Sequence, residues 1–394
     1  MRDLGRKARR LRTMSRAQIR ARIRGRIDRT GWEGKLRRIL KMTTYDNRSA
    51  YVKSPWQFQL RDNPVPPPGP GQLLVQIHAC GICGTDQHIA DRTASDWQPF
   101  GHEVAGIVEA VGAGVTAFKP GDRVALDSSA PCGECPTCAP PPRGRARPDL
   151  CPNPVNYWLT ATMGFGQRVL APHQLAVHVP ESVPLDMASL VEPLGVCIDL
   201  VQVAQVGPGD HVLVIGPGPL GLGAVFLAAR AGAEKVILAG RSGSKARMDA
   251  GLKLGADTLI ETDKRAVTDT DFGARKPDKI LVTAPPDSLP AALAVAALGG
   301  IVSYIGVAWN EKTRVQIDAD DLHFRKLSLR PSHAWPGTHA AESIRLLATC
   351  PELGHTLVSH RFSLDEIERA MTTVRDDRAH MVKAVVQPGA IRRG

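Results

Sequence analysis

The sequence predicts an α/β chain built from two unlike parts, a doubly wound parallel sheet and a mostly β unit. Three observations carry that expectation. From about residue 190, short Val/Ile/Leu runs alternate with helical segments. From about 48 to 180, similar runs are punctuated by Pro and Gly. A glycine-rich turn, Gly216-Pro217-Gly218-Pro219-Leu220-Gly221, stands where a buried run gives way to a helical one. Apolar runs alternating with helices imply parallel strands joined by βαβ crossovers, whereas runs bounded by turn residues read as an irregular β unit.

The elements follow in order. The proline-rich turn 62–72 leads into the strand LLVQIHA, and VAGIVEAV and HQLAVHV are further strands. In the alternating half, HVLVIG (211–216) is a buried strand and PLGLGAVFLAARAGA the helix after it. KVILAG (235–240) is the second strand, followed by a helix over KARMDAGLKLGA, the strands TLIE and KILVTA, a helix over SLPAALAVAAL and the strand GIVSYIG. The tail, 336–390, returns to short elements, with a helix over AAESIRLLA and a final strand KAVVQ. No internal repeat interrupts this order.

At 394 residues the chain suffices for two domains with separate cores. Its 43% hydrophobic and 23% charged content are those of a globular protein. No run approaches 18 apolar residues, so no span is expected, and the absence of an apolar h-region points to the cytoplasm. The net charge of +11 is uneven: residues 1–43 hold 16 Lys and Arg against three acids, which leaves the other 351 residues at −2. The body therefore gives no electrostatic reason to bind nucleic acid. In the basic N-terminal extension, 1–47, Leu4, Leu11, Ile19, Ile23 and Ile27 recur at roughly helical spacing. It reads as an upstream segment (Met14 and Met42 offer later starts), an arm for nucleic acid or an anionic surface, an oligomer-contact helix, or a transit peptide.

The turn at 216–221 is a G-x-G-x-x-G in the context that gives it meaning, closing a strand and opening a helix. Gly216 permits the tight turn, Gly218 lets backbone approach a pyrophosphate, and Gly221 allows close helix–strand packing, with Pro219 and Leu220 opening the helix. This predicts a Rossmann cofactor domain. At the end of the second strand, where an NAD site usually carries a carboxylate, the chain has Gly240 and Arg241, with Ser242 and Lys245 close behind. A guanidinium can pair with a 2′-phosphate that a carboxylate would repel, which favours NADP over NAD.

Eight cysteines are too few for a disulfide scaffold, and six lie in closely spaced sets that suit metal or redox chemistry. Three fragments supply ligand types: CGICGTDQH (80–88), PFGHEVAG (99–106) and SLVEPLGV (189–196). A catalytic zinc needs about three protein ligands and one open position. One thiolate and one carboxylate balance its charge while imidazole is neutral, so a bound alcohol can lose its proton near neutral pH. Cys132, Cys135, Cys138 and Cys151 have the spacing of a closed structural zinc site.

With Cys83-Gly-Thr-Asp86 and His88, Gly101-His102-Glu103, the four-cysteine lobe, Glu192-Pro193 and the glycine fingerprint in this order, the chain resembles the zinc-dependent medium-chain dehydrogenase/reductase family. It looks most like the polyol, threonine and sugar dehydrogenase branch, over about 48–390. The resemblance implies a GroES-like catalytic domain at 48–198 with a zinc lobe at 131–152. It further implies a Rossmann domain at 199–335 and a return to the catalytic domain at 336–394. It implies Cys83, His102 and Glu192 as ligands of the catalytic zinc, with Glu103 at or beside the metal. Thr85 would bond the reacting hydroxyl and His88 continue the proton relay. Two zinc ions per chain, a small alcohol or carbonyl substrate and a homodimer or homotetramer complete the expectation. Cys80, which has no ligand role in the family, reads as core, and Cys197 and Cys350 as core or surface.

The lobe departs from the family in its last interval, twelve residues where seven are usual. Doubling a loop costs about 0.6 kcal/mol of closure entropy, against zinc binding worth on the order of 10 kcal/mol. A basic bulge with the metal retained is the expected result. The function so read is hydride transfer between NADP(H) and a secondary alcohol of a polyol, sugar or cyclitol. Two alternatives stay open: an NAD-linked threonine- or sorbitol-type dehydrogenase, and a binding or regulatory protein that keeps the fold and uses its basic arm.

Overall fold

The computed structural model describes residues 44–141, 144–158, 160–308 and 313–389. Residues 1–43 of the basic arm lie outside them. The chain divides into two units, the smaller comprising 1–46 and 64–67. Its described residues join Tyr45 and Val65 in an antiparallel bridge.

The larger unit contains both parts the sequence predicts. Its β part starts with β1 (Arg48–Lys53), β2 (Gln57–Asp62), β3 (Gln72–Gly81) and β4 (Gln98–Pro99). It continues with β5 (Glu103–Val111), β6 (Arg123–Leu126), β7 (Ser129–Ala130), β8 (Val155–Asn156), β9 (Arg168–Pro172) and β10 (Ala176–His178). The parallel part holds β11 (His211–Ile215), β12 (Lys235–Gly240), β13 (Thr258–Glu261), β14 (Lys279–Val282), β15 (Ile301–Tyr304) and β16 (Ser328–Pro331). The tail adds β17 (Val358–Ser363) and β18 (Lys383–Gln387).

The six parallel strands run in the order β13-β12-β11-β14-β15-β16. Their runs are apolar without alternation because helices cover both faces: Val212, Leu213 and Val214 of β11 are all fully buried. The order reverses between β11 and β14, and a ligand of such a sheet binds at the carboxyl ends of the strands at that switch point. Gly216 follows the last residue of β11, so the glycine turn occupies this place. Helix α3 (Pro219–Arg230) opens there, after the shorter α1 (Gly84–His88) and the central α2 (Val191–Ala204), and α4 (Lys245–Lys253) follows β12. Helix α3 stops short of the predicted GA pair because Gly232 takes a left-handed φ of 84°.

The second large sheet runs β10-β6-β5-β3-β18-β17, with β9 also on β3. Strand β3 is its spine. It pairs antiparallel with β5, setting Gly81 opposite Glu103, and with β18, setting Gly81 opposite Val385. Chain segments some three hundred residues apart thus meet at one glycine. The tail strand KAVVQ is where the sequence places it, but its sheet partner could not be read from its own residues.

The glycines of the turn are needed for different reasons. Gly216 has a φ of 111°, and a Cβ there would lie 2.7 Å from Thr283 Oγ1. A Cβ on Gly221 would overlap the Gly216 carbonyl, whereas Gly218 faces open space at an ordinary φ of −69°. Gly221→Val should therefore cost about 1–3 kcal/mol in denaturant unfolding through overpacking. Gly218→Ala should stay within about 1 kcal/mol of the parent while weakening nucleotide binding.

Candidate active site

Strand β3 delivers the chain into a reciprocal cap. Cys83 is the N-cap of α1 with extended backbone, its Sγ accepting from Thr85 N at 3.5 Å. Its own N–H donates to Asp86 Oδ2 at 2.9 Å. A Cys-x-x-Asp at a helix start thereby fixes the sulfur by two backbone bonds. Thr85 Oγ1 lies 3.7 Å from that sulfur, and His88 sits three residues on, on the same face of α1.

Across β3, Gly101 turns with a φ of 91° and releases His102 and Glu103 into the start of β5. The ligand atoms of Cys83, His102 and Glu103 all lie within 4.8 Å of one another, with His102 and Glu103 buried. His102 Nδ1 faces the fully buried Asp86 Oδ1 at 3.5 Å, so Nε2 is the nitrogen available to a metal. The Tyr157 hydroxyl donates to the His102 carbonyl at 2.7 Å and holds the backbone. Burial by itself would lower the His102 pKa, but the Asp86 carboxylate and the Cys83 sulfur overcome it and raise the value well above the usual imidazole range. A thiol, an imidazole and a carboxylate converging out of water fit a dication with an open position.

Glu192 stands apart from this trio. In the first turn of α2, its Oε1 accepts from Ser128 Oγ at 2.9 Å. Burial raises its pKa, and the nearby Glu103 adds to the effect while His102 opposes it. Next to it Asp127 is pushed up to about 8, chiefly by burial and then by the charge of Glu192.

Sequence reasoning missed several neighbours. Lys383, the one charged residue of β18, is buried with its Nζ 2.8 Å from Glu103 Oε1. Trp158 lies over the His102 ring with centroids 4.7 Å apart, and Trp335 lies 6.4 Å beyond Trp158. The signal for Lys383 was a single charge in a core strand; the tryptophans, in loops, gave none.

The four-cysteine lobe has metal geometry. Cys132–Cys138 and Cys135–Cys151 sulfurs lie 3.9 Å apart, and Cys135–Cys138 and Cys132–Cys151 sulfurs 3.5 Å apart. Zinc–sulfur bonds of about 2.3 Å in a tetrahedron put sulfurs about 3.8 Å apart, while a disulfide needs about 2.05 Å. The amides of Cys132 and Cys135 donate to Cys151 and Cys132 sulfurs, both at 3.4 Å. The Cys135 thiol is pulled down to about 6, first by the Cys138 backbone N–H. In the long interval, Gly144 N donates to Pro141 O at 2.7 Å and Arg147 pairs with Asp149, and Arg145 and Arg147 are exposed. The described residues of the interval form a basic bulge that leaves the four sulfurs together.

The remaining cysteines are core. Cys80 is fully buried and burial raises its thiol pKa well above the usual value. Cys197 is pushed up to about 12 by burial, and Cys350 is buried beside Arg230.

At the nucleotide turn, α3 begins at Gly218 with no side-chain cap, leaving its first amides for a ligand. Pro217 packs on Gly240, whose Cβ would come within 2.5 Å of the proline ring, so the turn lies against the end of β12. Arg241 is exposed there. Ser242 donates its N–H and its hydroxyl to Asp263 at 2.8 and 2.6 Å, and Lys245 pairs along α4 with Asp249 at 2.9 Å. Of the three side chains read toward a 2′-phosphate, only Arg241 is not turned to a carboxylate in an ion pair or hydrogen bond.

A thiol, an imidazole and a carboxylate gathered at the end of one sheet, with a dinucleotide turn at the switch point of the other, are the marks of a metal-dependent nicotinamide oxidoreductase. Residues 69–181 match the alcohol dehydrogenase GroES-like domain and 219–349 the zinc-binding dehydrogenase domain. The chain is 30% identical over 341 residues to the L-threonine 3-dehydrogenase of Pyrococcus abyssi, covering 82% of this chain and 94% of that protein. It is 29% identical over 356 residues to the sorbitol dehydrogenase of Gallus gallus, covering 84% and 94%. A zinc-binding dehydrogenase structure from Sinorhizobium meliloti 1021, bound to NADP, superposes with a TM-score of 0.76 at 28% identity, covering 87% of this chain and all of that one. The chain belongs to the zinc-dependent medium-chain alcohol dehydrogenase family, and it is an alcohol oxidoreductase. No described helix is long and apolar enough to cross a membrane.

Cys138→Ser should remove one metal equivalent per chain, measured by metal analysis, and lower the thermal midpoint. Arg145→Ala in the bulge should leave both unchanged, with stability within about 0.5 kcal/mol.

Proposed function

We propose that the protein transfers hydride between NADP(H) and a secondary hydroxyl of a polyol, sugar or cyclitol, using one catalytic and one structural zinc. The observation that carries this reading is the convergence of Cys83 with the buried His102 and Glu103, in a chain whose second cofactor-domain strand is followed by Arg241. Cys83, His102 and Glu192 would hold the catalytic metal with Glu103 beside it, and the four lobe cysteines the structural one. When bound, the metal supplies Lewis acidity that lowers the pKa of an alcohol, and the nicotinamide accepts the hydride.

The chain's own residues do the rest. Asp86 orients His102, and the Cys83 cap fixes the sulfur. The Thr85 hydroxyl, beside Cys83, would accept the proton of the reacting hydroxyl and pass its own toward His88 at the far end of α1. Trp158 and Trp335 cover the His102 side and keep bulk water from the reacting atoms. The free amides of α3 and the bare Gly218 would receive the pyrophosphate.

The substrate class is supported by relatives named for threonine, sorbitol and L-arabinitol, all carrying secondary hydroxyls. A homodimer or homotetramer is supported by large apolar residues left exposed at Leu298, Val307 and Phe324.

An NAD-linked enzyme is the second reading, favoured by one observation: Asp263 brings a carboxylate to the end of β12 through Ser242. The test is initial-rate measurement on zinc-loaded protein with a panel of polyols, sugars and cyclitols and both cofactors. Arg241→Ala should raise the KM for NADP about tenfold, the loss of one charge-assisted pair, and leave that for NAD unchanged. An unaltered NADP KM sinks the NADP preference, and no turnover on the panel sinks the substrate class.

A further inference from the structure

Trp158 carries a hydrogen-bond donor that its own chain does not use. Its indole Nε1 is shut off from solvent and has no partner among the described residues. A buried indole N–H usually finds an acceptor, and leaving such a donor unpaired costs about 1–3 kcal/mol.

The loop between β8 and β9 keeps the ring from turning away to find one. The Trp158 amide donates to Asn156 Oδ1 at 3.1 Å. The Thr160 hydroxyl lies 2.9 Å from the Tyr157 carbonyl and 2.6 Å from that of Thr162, which closes the chain around the tryptophan. Asn63 Nδ2 donates to the Ala161 carbonyl at 2.7 Å, and the Tyr157 hydroxyl ties the preceding residue to the His102 carbonyl. The indole is then fixed between two rings, His102 at 4.7 Å and Trp335 at 6.4 Å. His102 belongs to the trio whose ligand atoms lie within 4.8 Å of one another. A small molecule seated at that trio brings its oxygens into the neighbourhood of the unused N–H.

The charges say which oxygens fit. Burial, and after it Cys80, Glu192, Asp127 and Asp86, push the Tyr157 hydroxyl pKa well above its usual value, so the ionisable groups felt at this loop are acids. The buried cation nearby, Lys383, is already held by Glu103. A substrate carboxylate would enter among like charges, whereas a hydroxyl accepts from a neutral indole without adding one. We propose that Trp158 is a specificity-determining residue, its indole N–H donating to an uncharged oxygen of the substrate on the carbon next to the reacting carbinol. This rests on the polyol chemistry proposed above.

The test uses full-length, zinc-loaded protein, parent and Trp158→Phe, a change that keeps a ring against His102 and removes the donor. Butane-2,3-diol and butan-2-ol, which differ by one hydroxyl, are the probes, with lactate as the charged counterpart. Trp158→Phe should lower kcat/KM for the diol about tenfold, the scale of one hydrogen bond, and change that for butan-2-ol less than about twofold. A second readout is independent of turnover. With the indole nitrogens of the six tryptophans labelled for NMR, the resonance lost in Trp158→Phe is that of Trp158. In the parent with reduced cofactor, which cannot oxidise the alcohol, the diol should move this resonance downfield and butan-2-ol should leave it in place. Should Trp158→Phe not fold, Trp158→Tyr assigns the resonance and the shift in the parent decides. A diol that is turned over while the resonance stays put overturns the proposal and leaves the polyol reading standing. So does a Trp158→Phe variant that slows both alcohols alike, since that is loss of packing and not of a donor. Lactate moving the resonance further than the diol overturns the uncharged acceptor. No turnover of either alcohol with either cofactor overturns the polyol reading on which the donor's role rests.

Discussion

The pairing of β3 with β5 on one side and β18 on the other is the constraint on which the candidate active site depends. It sets Gly81 beside both Glu103 and Val385. From that register everything local follows. Cys83 emerges two residues past Gly81 into its cap, His102 and Glu103 enter at the matching end of β5, and Lys383 closes the back. A strand slipped by one residue would turn each of these to the opposite face. The sheet is specified against such a slip where β3 alternates, with Ile77 and Ala79 buried and His78 between them exposed.

The two cysteine sets serve opposite ends. The lobe gathers four sulfurs within one stretch of twenty residues, partly exposed and bonded mainly to their own backbone amides. Such a site is local, tolerates a longer loop, and leaves no coordination position unfilled. The cluster at Cys83 gathers unlike groups from distant segments and buries His102 and Glu103, so their charges must be balanced by the protein itself. Cys80 and Cys197 show the contrast: burial outweighs the opposing charge of Lys383, and their thiols are held protonated and inert.

What could be read from the residues divides along the same line. The glycine turn, the lobe and the alternation of strands and helices are local patterns, and each lies where its spacing puts it. Cys83, His102 and Glu103 were legible as types, but their convergence required the β3–β5 register. Lys383 was not legible, because its meaning comes from a partner 280 residues away. Ser242 and Lys245 show the converse failure. Their types suit a phosphate, yet Asp263 and Asp249 engage them: the i,i+4 spacing of Lys245 and Asp249 on the helix could have been read, whereas Asp263, 21 residues from Ser242, could not.

The floor and roof of the centre are also tied across the chain. Gly337 donates its N–H to Ser129 Oγ at 3.1 Å, and a Cβ on Gly337 would overlap the Asp127 carboxylate. The segment carrying Trp335 is therefore pinned to the strand edge that carries Asp127 and Ser128, and Ser128 in turn bonds Glu192. Trp158, on a different loop, reaches the same place from the other direction and meets both His102 and Trp335. Two flat rings held by opposite loops give the His102 side a rigid apolar wall, while Glu192, Ser128 and Thr85 give the remainder polar groups. A substrate with one CH-rich face and one hydroxylated edge matches that division, since aromatic faces bury carbon and the polar groups need partners. On the function proposed, shape at these two loops, more than at the metal, is where one secondary alcohol would be told from another.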